Sequence, residues 1–269
     1  MHELSYRTVF LSPFDMNLFY FAPSARRDFI DGILTRAFGQ FRSVKRKYDE
    51  ILAQRNALLK KIREGVAKPW DLAYWDQIFS EQASLYHLYR KKWVDFVEEQ
   101  QSIISAFLPK YTLIHTYASR LEEAHRETLG NLEETVRIIL SEDQLYDIQS
   151  GHTHIGVHRD DFHFSVVSSE WMEAETSSAF YLSRGENKVL LLALKQIEIL
   201  FLRKYVDLPI VLLFDDIFAE LDQGYAERVI EHFEADQVIL TSQRPLPEWE
   251  NWSHFSCINL NTEYDFKNV

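Results

Sequence analysis

The chain has 269 residues, of which 46% are hydrophobic and 14% aromatic, and its formal net charge at pH 7 is −12. This composition excludes a disordered chain and predicts a globular protein of one or two domains. The single cysteine, Cys257, excludes an internal disulfide and suits a reducing compartment. The longest apolar stretch, 189–202, is interrupted by charged residues, whereas a membrane span needs about 20 apolar residues. We therefore expect a soluble, cytoplasmic protein without a membrane partner.

Three blocks follow one another along the chain. Residues 1–13 contain an alternating segment that is typical of a strand. Residues 14–145 have few Gly or Pro and have apolar residues at three- and four-residue spacing, which predicts four or five helices in an arm or lid domain. In residues 146–269 strand patterns, beginning with 162–167, alternate with helical ones, which predicts an α/β layer.

Charge is distributed unevenly over these blocks. Residues 26–68 carry 12 Lys or Arg and 5 Asp or Glu, a net charge of +7, while the rest of the chain carries 17 basic and 36 acidic residues, a net charge of −19. One interpretation is an ordinary solvated helix surface. The other is a stripe that meets the phosphates of DNA. The candidate DNA-binding residues are Arg42, Lys45, Arg46, Lys60, Lys61 and Arg63.

A histidine-rich segment opens the third block. It holds His152, His154, His158 and His163, with Asp160 and Asp161 close by. Because structural zinc sites use Cys/His sets at fixed spacing and no Cys is near, we expect a motif that leads into a strand rather than a metal site. Arg159 remains open between contact with a phosphate or acidic partner and a salt bridge that joins the helical domain to the α/β layer.

Two further motifs predict a nucleotide site. Residues 182–186, Leu-Ser-Arg-Gly-Glu, form a turn before a long predicted helix at about 187–205, and a helix N-terminus offers N–H groups to phosphate oxygens. Residues 211–216, Val-Leu-Leu-Phe-Asp-Asp, predict a buried strand that ends in two carboxylates at the carboxyl edge of a parallel sheet. One carboxylate there can hold Mg²⁺ and its neighbour can polarise an attacking water.

The order of these motifs indicates the second half of an ABC-type ATPase core. After the carboxylate pair come Glu-Leu-Asp at 220–222, a helix, and a second apolar strand at 238–242. None of the eight glycines is followed by Lys, so the chain contains no Gly-x-x-x-x-Gly-Lys phosphate loop. We therefore expect a truncated or split protein. The predicted fold is α/β, the C-terminal half of an ABC-type ATPase core with an α-helical arm or lid domain.

These segments resemble the RecF family of bacterial DNA replication and repair proteins, without that family's N-terminal lobe. The resemblance rests on residues 10–15, 23–31, 48–60, 75–77 and, as the most specific match, Gly-His-Thr-His-Ile-Gly-Val-His-Arg-Asp-Asp at 151–161. Four positions depart from the family pattern, namely Phe14, Ala22, Val157 and Glu186. Glu186 stands where Gln is typical, which puts a negative charge beside the nucleotide and is expected to weaken its binding.

The resemblance implies site residues, cofactors and partners. It implies ATP and Mg²⁺, with Asp215 as the metal ligand and Asp216 as the water-activating base. The implied nucleotide-binding residues are Ser183, Arg184, Gly185, Glu186, Asp222 and Gln243, with Ser242 as the alternative to Gln243, and the turn at 183–185 would act on a nucleotide held by a partner. That partner is a second copy or a separate N-terminal lobe.

The resemblance also implies a function in the response to DNA damage, including the SOS response. The chain would bind DNA at single-stranded gaps and junctions, dimerise with ATP, and support recombinase loading with RecR and RecO. A second possibility is a non-enzymatic DNA- or partner-binding fragment without ATP turnover. A third, a relative of structural-maintenance proteins, needs a coiled-coil arm far longer than the roughly 130 residues available here, at about 1.5 Å per residue.

Overall fold

Helices predominate in the part of the chain that the computed structural model describes, which comprises residues 5–128, 131–167, 176–216, 233 and 235–242. The strands are β1 Arg7–Leu11, β2 Thr112–Ala118, β3 Asp161–Val167, β4 Thr176–Ser177, β5 Ile210–Asp215 and β6 Gln237–Thr241. The helices are α1 Asn17–Tyr20, α2 Pro23–Ala37, α3 Phe41–Arg63, α4 Leu72–Glu99, α5 Gln101–Phe107, α6 Arg120–Thr128, α7 Leu132–Glu142, α8 Gln144–Ser150, α9 Ser178–Tyr181 and α10 Arg184–Tyr205. Short 3₁₀ turns lie at Pro13–Met16 and Pro69–Asp71.

The first sheet is parallel, with strand order β1-β5-β6. It unites the first strand of the chain with the two apolar strands predicted near its end, all three of which are confirmed. In its register Leu11 lies opposite Phe214, and Asp215 lies opposite Thr241. Because parallel strands end at the same edge, the carboxylates that follow β5 meet the end of β6 there.

The second sheet corrects the prediction that residues 14–145 are helical throughout. Strand β2 lies inside that range and pairs antiparallel with β3, which pairs in turn with β4. Thr112, Ile114 and Thr116 supply β-branched residues at period two, which favours a strand. The strand predicted at 162–167 is confirmed as β3, but it belongs to this separate antiparallel sheet and not to a layer of alternating strands and helices.

Helices α3 and α4 form a long hairpin. Helix α3 ends at Arg63, and Gly65, the residue after its C-cap, has a φ of +76°. Val66 N–H donates to the Lys61 carbonyl at 2.9 Å, as in a Schellman-type cap. The far end of the hairpin has its own small apolar cluster of Leu59, Ile62 and Leu72, against which Ile148 of α8 packs. The hairpin end is therefore held by contacts that are separate from the main core.

Helix α10 runs through the main core. It confirms the helix predicted at about 187–205 and begins three residues earlier, at Arg184. Residues 187–199 are all buried, which is the property of a helix surrounded by protein. The same apolar core contains Val9, Trp93 and Leu190, one from each of the three predicted blocks. No helix among the described residues has the length and apolar character that a membrane crossing requires.

Candidate functional site

The two predicted acidic residues lie at the carboxyl edge of the parallel sheet. Asp215 is exposed at the end of β5, and the Thr241 hydroxyl donates to its Oδ1 at 2.8 Å. Asp216 adopts a left-handed backbone conformation with φ +48°, which Asp tolerates better than most residues. Its N–H lies 3.2 Å from both the carbonyl and the hydroxyl oxygen of Thr241. Thr241 thus fixes both acidic residues from the neighbouring strand.

The donor set at this edge fits Mg²⁺. The Thr241 hydroxyl donates one hydrogen bond to Oδ1 of Asp215. An ionised carboxylate has further lone pairs on both oxygens, and these can bind a cation. Mg²⁺ is usually bound by one or two carboxylates, several waters and substrate phosphates. An exposed carboxylate with a hydroxyl beside it matches that chemistry. Sequence reasoning named Ser242 or Gln243 at the end of β6 and missed Thr241, which the register of β5 and β6 places opposite Asp215.

A second group of predicted residues forms the N-terminus of α10. Ser183 is its N-cap, and its hydroxyl accepts a hydrogen bond from Glu186 N–H at 3.3 Å. Oε2 of Glu186 accepts one from Ser183 N–H at 2.9 Å, which completes a capping box. Among the described residues the N–H of Gly185 has no acceptor, so this first-turn donor can serve a phosphate oxygen. Ser183 and Arg184 are exposed.

Glu186 has a structural explanation at a position where the family typically has Gln. Besides the capping box, the Tyr111 hydroxyl donates to Oε1 of Glu186 at 2.6 Å. Partial burial opposes ionisation, but the hydrogen bonds from Tyr111 and Ser183 outweigh it and hold the pKa of Glu186 below its ordinary value. The side chain is therefore ionised at neutral pH, and its charge is directed into hydrogen bonds of the turn itself.

Asn187 is a further residue of this turn, and sequence reasoning missed it. It is fully buried, and its Nδ2 lies 3.1–3.3 Å from the carbonyl oxygens of Ser178, Leu182 and Ser183. One amide group thus ties the segment before α10 to the first turn of the helix. A polar amide two residues before the apolar run at 189–194 was the available signal.

The acidic edge and the α10 turn are each connected internally. Thr241 contacts both Asp215 and Asp216, and the capping box joins Ser183 to Glu186. Two other predicted nucleotide-binding residues, Asp222 and Gln243, lie outside the described residues, as does Cys257.

The predicted basic stripe lies along α3, but its members differ in their surroundings. Lys45 is only partly exposed and lies 3.2 Å from Asp31. Arg46 is exposed and 3.9 Å from Glu50, a weak surface pair. At the other end, Arg63 donates to the Ser150 carbonyl at 3.2 Å. The other three, Arg42, Lys60 and Lys61, are exposed.

The segment 151–161 is the centre of a buried polar network. Arg90 of α4 lies 3.0 Å from Asp31 of α2 and 3.6 Å from Asp160, and its Nη1 donates to the Val157 carbonyl at 2.5 Å. The Tyr117 hydroxyl donates to Asp160 at 2.5 Å. These contacts connect the arm helices with both long strands of the antiparallel sheet.

A second buried cation lies in the same region. Arg55 of α3 is fully buried, 2.8 Å from Asp76 of α4 and 2.7 Å from both Asp147 and the Thr153 hydroxyl. Asn56 accepts hydrogen bonds from the N–H and the hydroxyl of Thr153 at 2.8 Å. The family-like segments around residues 55, 76 and 153 therefore meet in space.

Hydrogen bonds account for two of the four histidines near this segment. His154 Nδ1 lies 2.8 Å from Asp147, and His158 lies between the Tyr48 hydroxyl at 2.6 Å and the Thr153 carbonyl at 3.1 Å. A carbonyl only accepts, so Nε2 of His158 donates and Nδ1 accepts from Tyr48. Burial lowers the pKa of His158 to about 4. Within the described ranges no group of three or more His, Cys, Asp or Glu is arranged to hold a metal.

Among the described residues Arg159 does not form the salt bridge that was one of its two predicted roles. It is exposed, and its side chain has no hydrogen bond or ion pair within the described part of the chain. The contact between the arm and this segment is made instead by Arg26, which pairs with Asp161 at 2.6 Å, and by Arg27, which donates to the Asp160 carbonyl at 2.9 Å.

Comparison with known proteins confirms the resemblance to RecF. The chain is similar to the DNA replication and repair protein RecF of Agathobacter rectalis, with 31% identity over 238 residues, and of Moorella thermoacetica, with 27% identity over 240 residues. Each match covers 87% of this chain and 60% of the relative. The chain therefore spans about 60% of the length of these curated relatives. No protein-family model matches it.

Solved structures of the recombination mediator protein RecF in the RecFOR pathway share this fold. The structure with ATP matches with a TM-score of 0.74 and 24% identity, over 89% of this chain and 62% of that one. The structure with ATPrS matches with a TM-score of 0.72 and 24% identity, over 89% and 63%. The predicted α/β fold, the C-terminal half of an ABC-type ATPase core with a helical arm, is confirmed.

Proposed function

We propose that this chain is part of a RecF-type protein that binds DNA at single-stranded gaps and junctions and dimerises with ATP. The observation that carries the proposal is the carboxylate edge, where Thr241 orients Asp215, in a chain whose fold matches that of RecF with ATP. The similarity to curated RecF proteins over 87% of the chain supports it. Proteins of this kind would act with RecR and RecO type mediators in recombinase loading.

At the nucleotide, each group of residues has a proposed task. Mg²⁺, when bound, neutralises charge on the phosphate oxygens. Asp215 would hold it, with Thr241 fixing the orientation of that carboxylate, and Asp216 would orient the attacking water. The α10 turn would present the Gly185 N–H and the positive end of the helix to a nucleotide held by a second copy or a separate lobe. Asp222 and Gln243 remain predicted contributors to the same site.

At the DNA, exposed cations of α3 would meet phosphates. Burial and ion pairing divide the predicted stripe, since Lys45 is engaged with Asp31 whereas Lys60 and Lys61 are exposed. The end of α3 is therefore the better candidate for phosphate contact. Replacing Lys60, Lys61 and Arg63 together by Gln should weaken binding to all duplex sequences alike and flatten the salt slope by up to about 3, at 0.9 per phosphate.

A charge-matched control separates this surface from net charge. Lys92, Arg137 and Lys204 are exposed cations outside α3, and replacing them by Gln removes the same three charges. Binding of a fluorescent duplex, titrated at several salt concentrations, is the measurement. We expect the control to retain the affinity and slope of the wild type. Equal losses in both variants would contradict a DNA surface at the end of α3.

The absence of a Gly-x-x-x-x-Gly-Lys sequence from this chain favours a second candidate, a module that binds DNA or partners without ATP turnover. A carboxylate without a phosphate loop cannot hold a triphosphate in line for attack. The 269-residue chain alone should therefore release no more phosphate from ATP than its Asp215→Ala variant. Steady-state release clearly above that control would show turnover by this chain and would rule out the second candidate.

A further inference from the structure

The free end of the α3–α4 hairpin combines exposed aromatic rings with exposed cations. We call this region the hairpin tip. Its aromatic residues are Trp70, with 73% of its surface exposed, and Tyr74, with 64% exposed. Its cations, all exposed, are Lys60, Lys61, Arg63 and Lys68. Among the tryptophans in the described ranges, Trp93 is fully buried and Trp75 is partly buried against the core, so Trp70 is the exposed one.

Packing and a hydrogen bond hold the backbone and side chains of the hairpin tip in place. Leu59, Ile62 and Leu72 pack beneath it in a cluster of their own. The Asp71 carboxylate accepts a hydrogen bond from Lys68 N–H at 2.8 Å and so fixes the 3₁₀ turn that carries Trp70. The ring of Tyr74 meets that of Trp75 edge to face, with centroids 5.4 Å apart. A ligand that stacks on these rings therefore has little protein to order on binding.

Charge at the tip favours a polyanion. The acidic side chains among residues 60–71 are Glu64 and Asp71, and Asp71 is engaged in the turn. Lys60 and Arg63 lie beside Gly151, where an added Cβ would come within 3.1–3.2 Å of their side chains. They line the C-terminal end of α8, whose negative dipole end keeps cations there. The tip therefore offers several cations within reach of a chain that passes over the two rings.

We propose that the hairpin tip binds single-stranded DNA, with unpaired bases stacked on Trp70 and Tyr74 and neighbouring phosphates held by the tip cations. Sites for single-stranded nucleic acid combine exposed aromatic rings with cations. The bases stack on the rings through their π-faces, and the charged phosphates bind the cations. A closed duplex offers its phosphates but not its base faces. The inference rests on the proposed DNA binding and adds to it the surface and the two aromatic residues that would meet the unpaired nucleotides.

The test compares three ligands by fluorescence anisotropy, namely a labelled oligo(dT) of 20 nucleotides, an abasic strand with the same number of phosphates, and a 20-base-pair duplex. With the full 269-residue chain, Trp70→Ala/Tyr74→Ala should weaken oligo(dT) binding at least tenfold. Each stacked base that is lost lowers the affinity by about a factor of 5 or more. Abasic-strand affinity should change less than twofold. Phe14→Ala, an exposed aromatic outside the tip, should match the wild type on all three ligands.

A second variant keeps the test independent of folding. Trp70→Phe should retain most of the oligo(dT) affinity and lose most of the quenching of tryptophan emission that oligo(dT) causes in the wild type. Undiminished quenching in this variant would place the bases elsewhere. Unchanged oligo(dT) affinity of the alanine double variant, or an equal loss on the abasic strand, would overturn the stacking proposal.

The outcomes also separate this inference from the proposed function. If Lys60→Gln/Lys61→Gln/Arg63→Gln loses DNA affinity while the aromatic variants do not, DNA binding stands and the stacking inference fails. If none of these variants affects any DNA ligand, the proposed DNA surface itself fails. Binding of the wild type to vesicles of anionic phospholipid, lost in the aromatic double variant and without oligo(dT) binding, would identify a membrane contact and overturn the inference.

Discussion

Arg90→Met tests whether the buried network around residues 151–161 holds the arm against the antiparallel sheet. Arg90 is 2% exposed and reaches Asp31 through both Nε and Nη2, at 3.1 and 3.0 Å. It also lies 3.6 Å from Asp160, itself buried. Methionine keeps most of the volume but removes the charge. Two buried carboxylates then lose their shared cation.

The expected loss of free energy of unfolding depends on which partners Asp31 and Asp160 keep in the Arg90→Met variant. Breaking a buried ion pair from one side typically costs 3–5 kcal/mol, because the other charge stays buried. Lys45 still lies 3.2 Å from Asp31, and the Tyr117 hydroxyl still donates to Asp160, so a value near the middle of that range is expected. About 4 kcal/mol is a large part of the usual 5–15 kcal/mol of a folded protein. It corresponds to a loss of roughly 10 °C in Tm.

Urea unfolding followed by circular dichroism measures this loss. The variants are Arg90→Met, Asp31→Asn and the double variant. Arg46→Met is the control, since the pair of Arg46 with Glu50 is solvent-exposed and worth at most about 1 kcal/mol. The double variant should lose less than the sum of the single losses by about 1 kcal/mol or more. An Arg90→Met protein within 1 kcal/mol of the wild type, or strict additivity, would refute the structural role of this pair.

Two further changes probe the same region. The ring of His115 packs against Phe162 and Phe164, and neither of its nitrogens is hydrogen-bonded among the described residues. Burial lowers the pKa of His115 to about 3. Because the unfolded chain then protonates this imidazole at a higher pH than the folded chain does, the free energy of unfolding falls as pH drops from about 6.5 towards 3. His115→Leu should remove up to about 1.4 kcal/mol per pH unit of that slope, whereas an unchanged slope in urea titrations at pH 6 and 4 would assign it to other groups. Gly156→Ala places a methyl group against the Tyr48 hydroxyl, at a backbone φ of +125° that favours glycine. We expect it to lower the free energy of unfolding by more than about 2 kcal/mol, measured by thermal melting. Gly39→Ala is the control, because no atom lies near the added methyl group there.

The parts of the fold that were predictable depend on local sequence. The strand that ends at Asp215 and the helix after Ser183 are each determined by a continuous run of side chains and a cap, so the sequence alone identifies them. Strand β2 was missed because it follows about 90 residues of helical pattern and is only seven residues long. Thr241 and Asn187 were missed for another reason. Their importance comes from contacts across a sheet and around a turn, which spacing along the chain does not encode.

Burial divides the segment that most resembles RecF into two kinds of residue. Thr153, Val157 and Asp160 are buried and meet Arg55 or Arg90, whose positions in sequence are 67 to 98 residues away. Their side chains or carbonyls bind Arg55 or Arg90 inside the fold, so the resemblance at Thr153 and Asp160 reflects how the arm is joined to the sheet. Arg159 is the opposite case, because it is exposed and its side chain has no ion pair in the described ranges. Within those ranges its guanidinium is available to a phosphate or an acidic partner, as the side chains of Lys60 and Lys61 are.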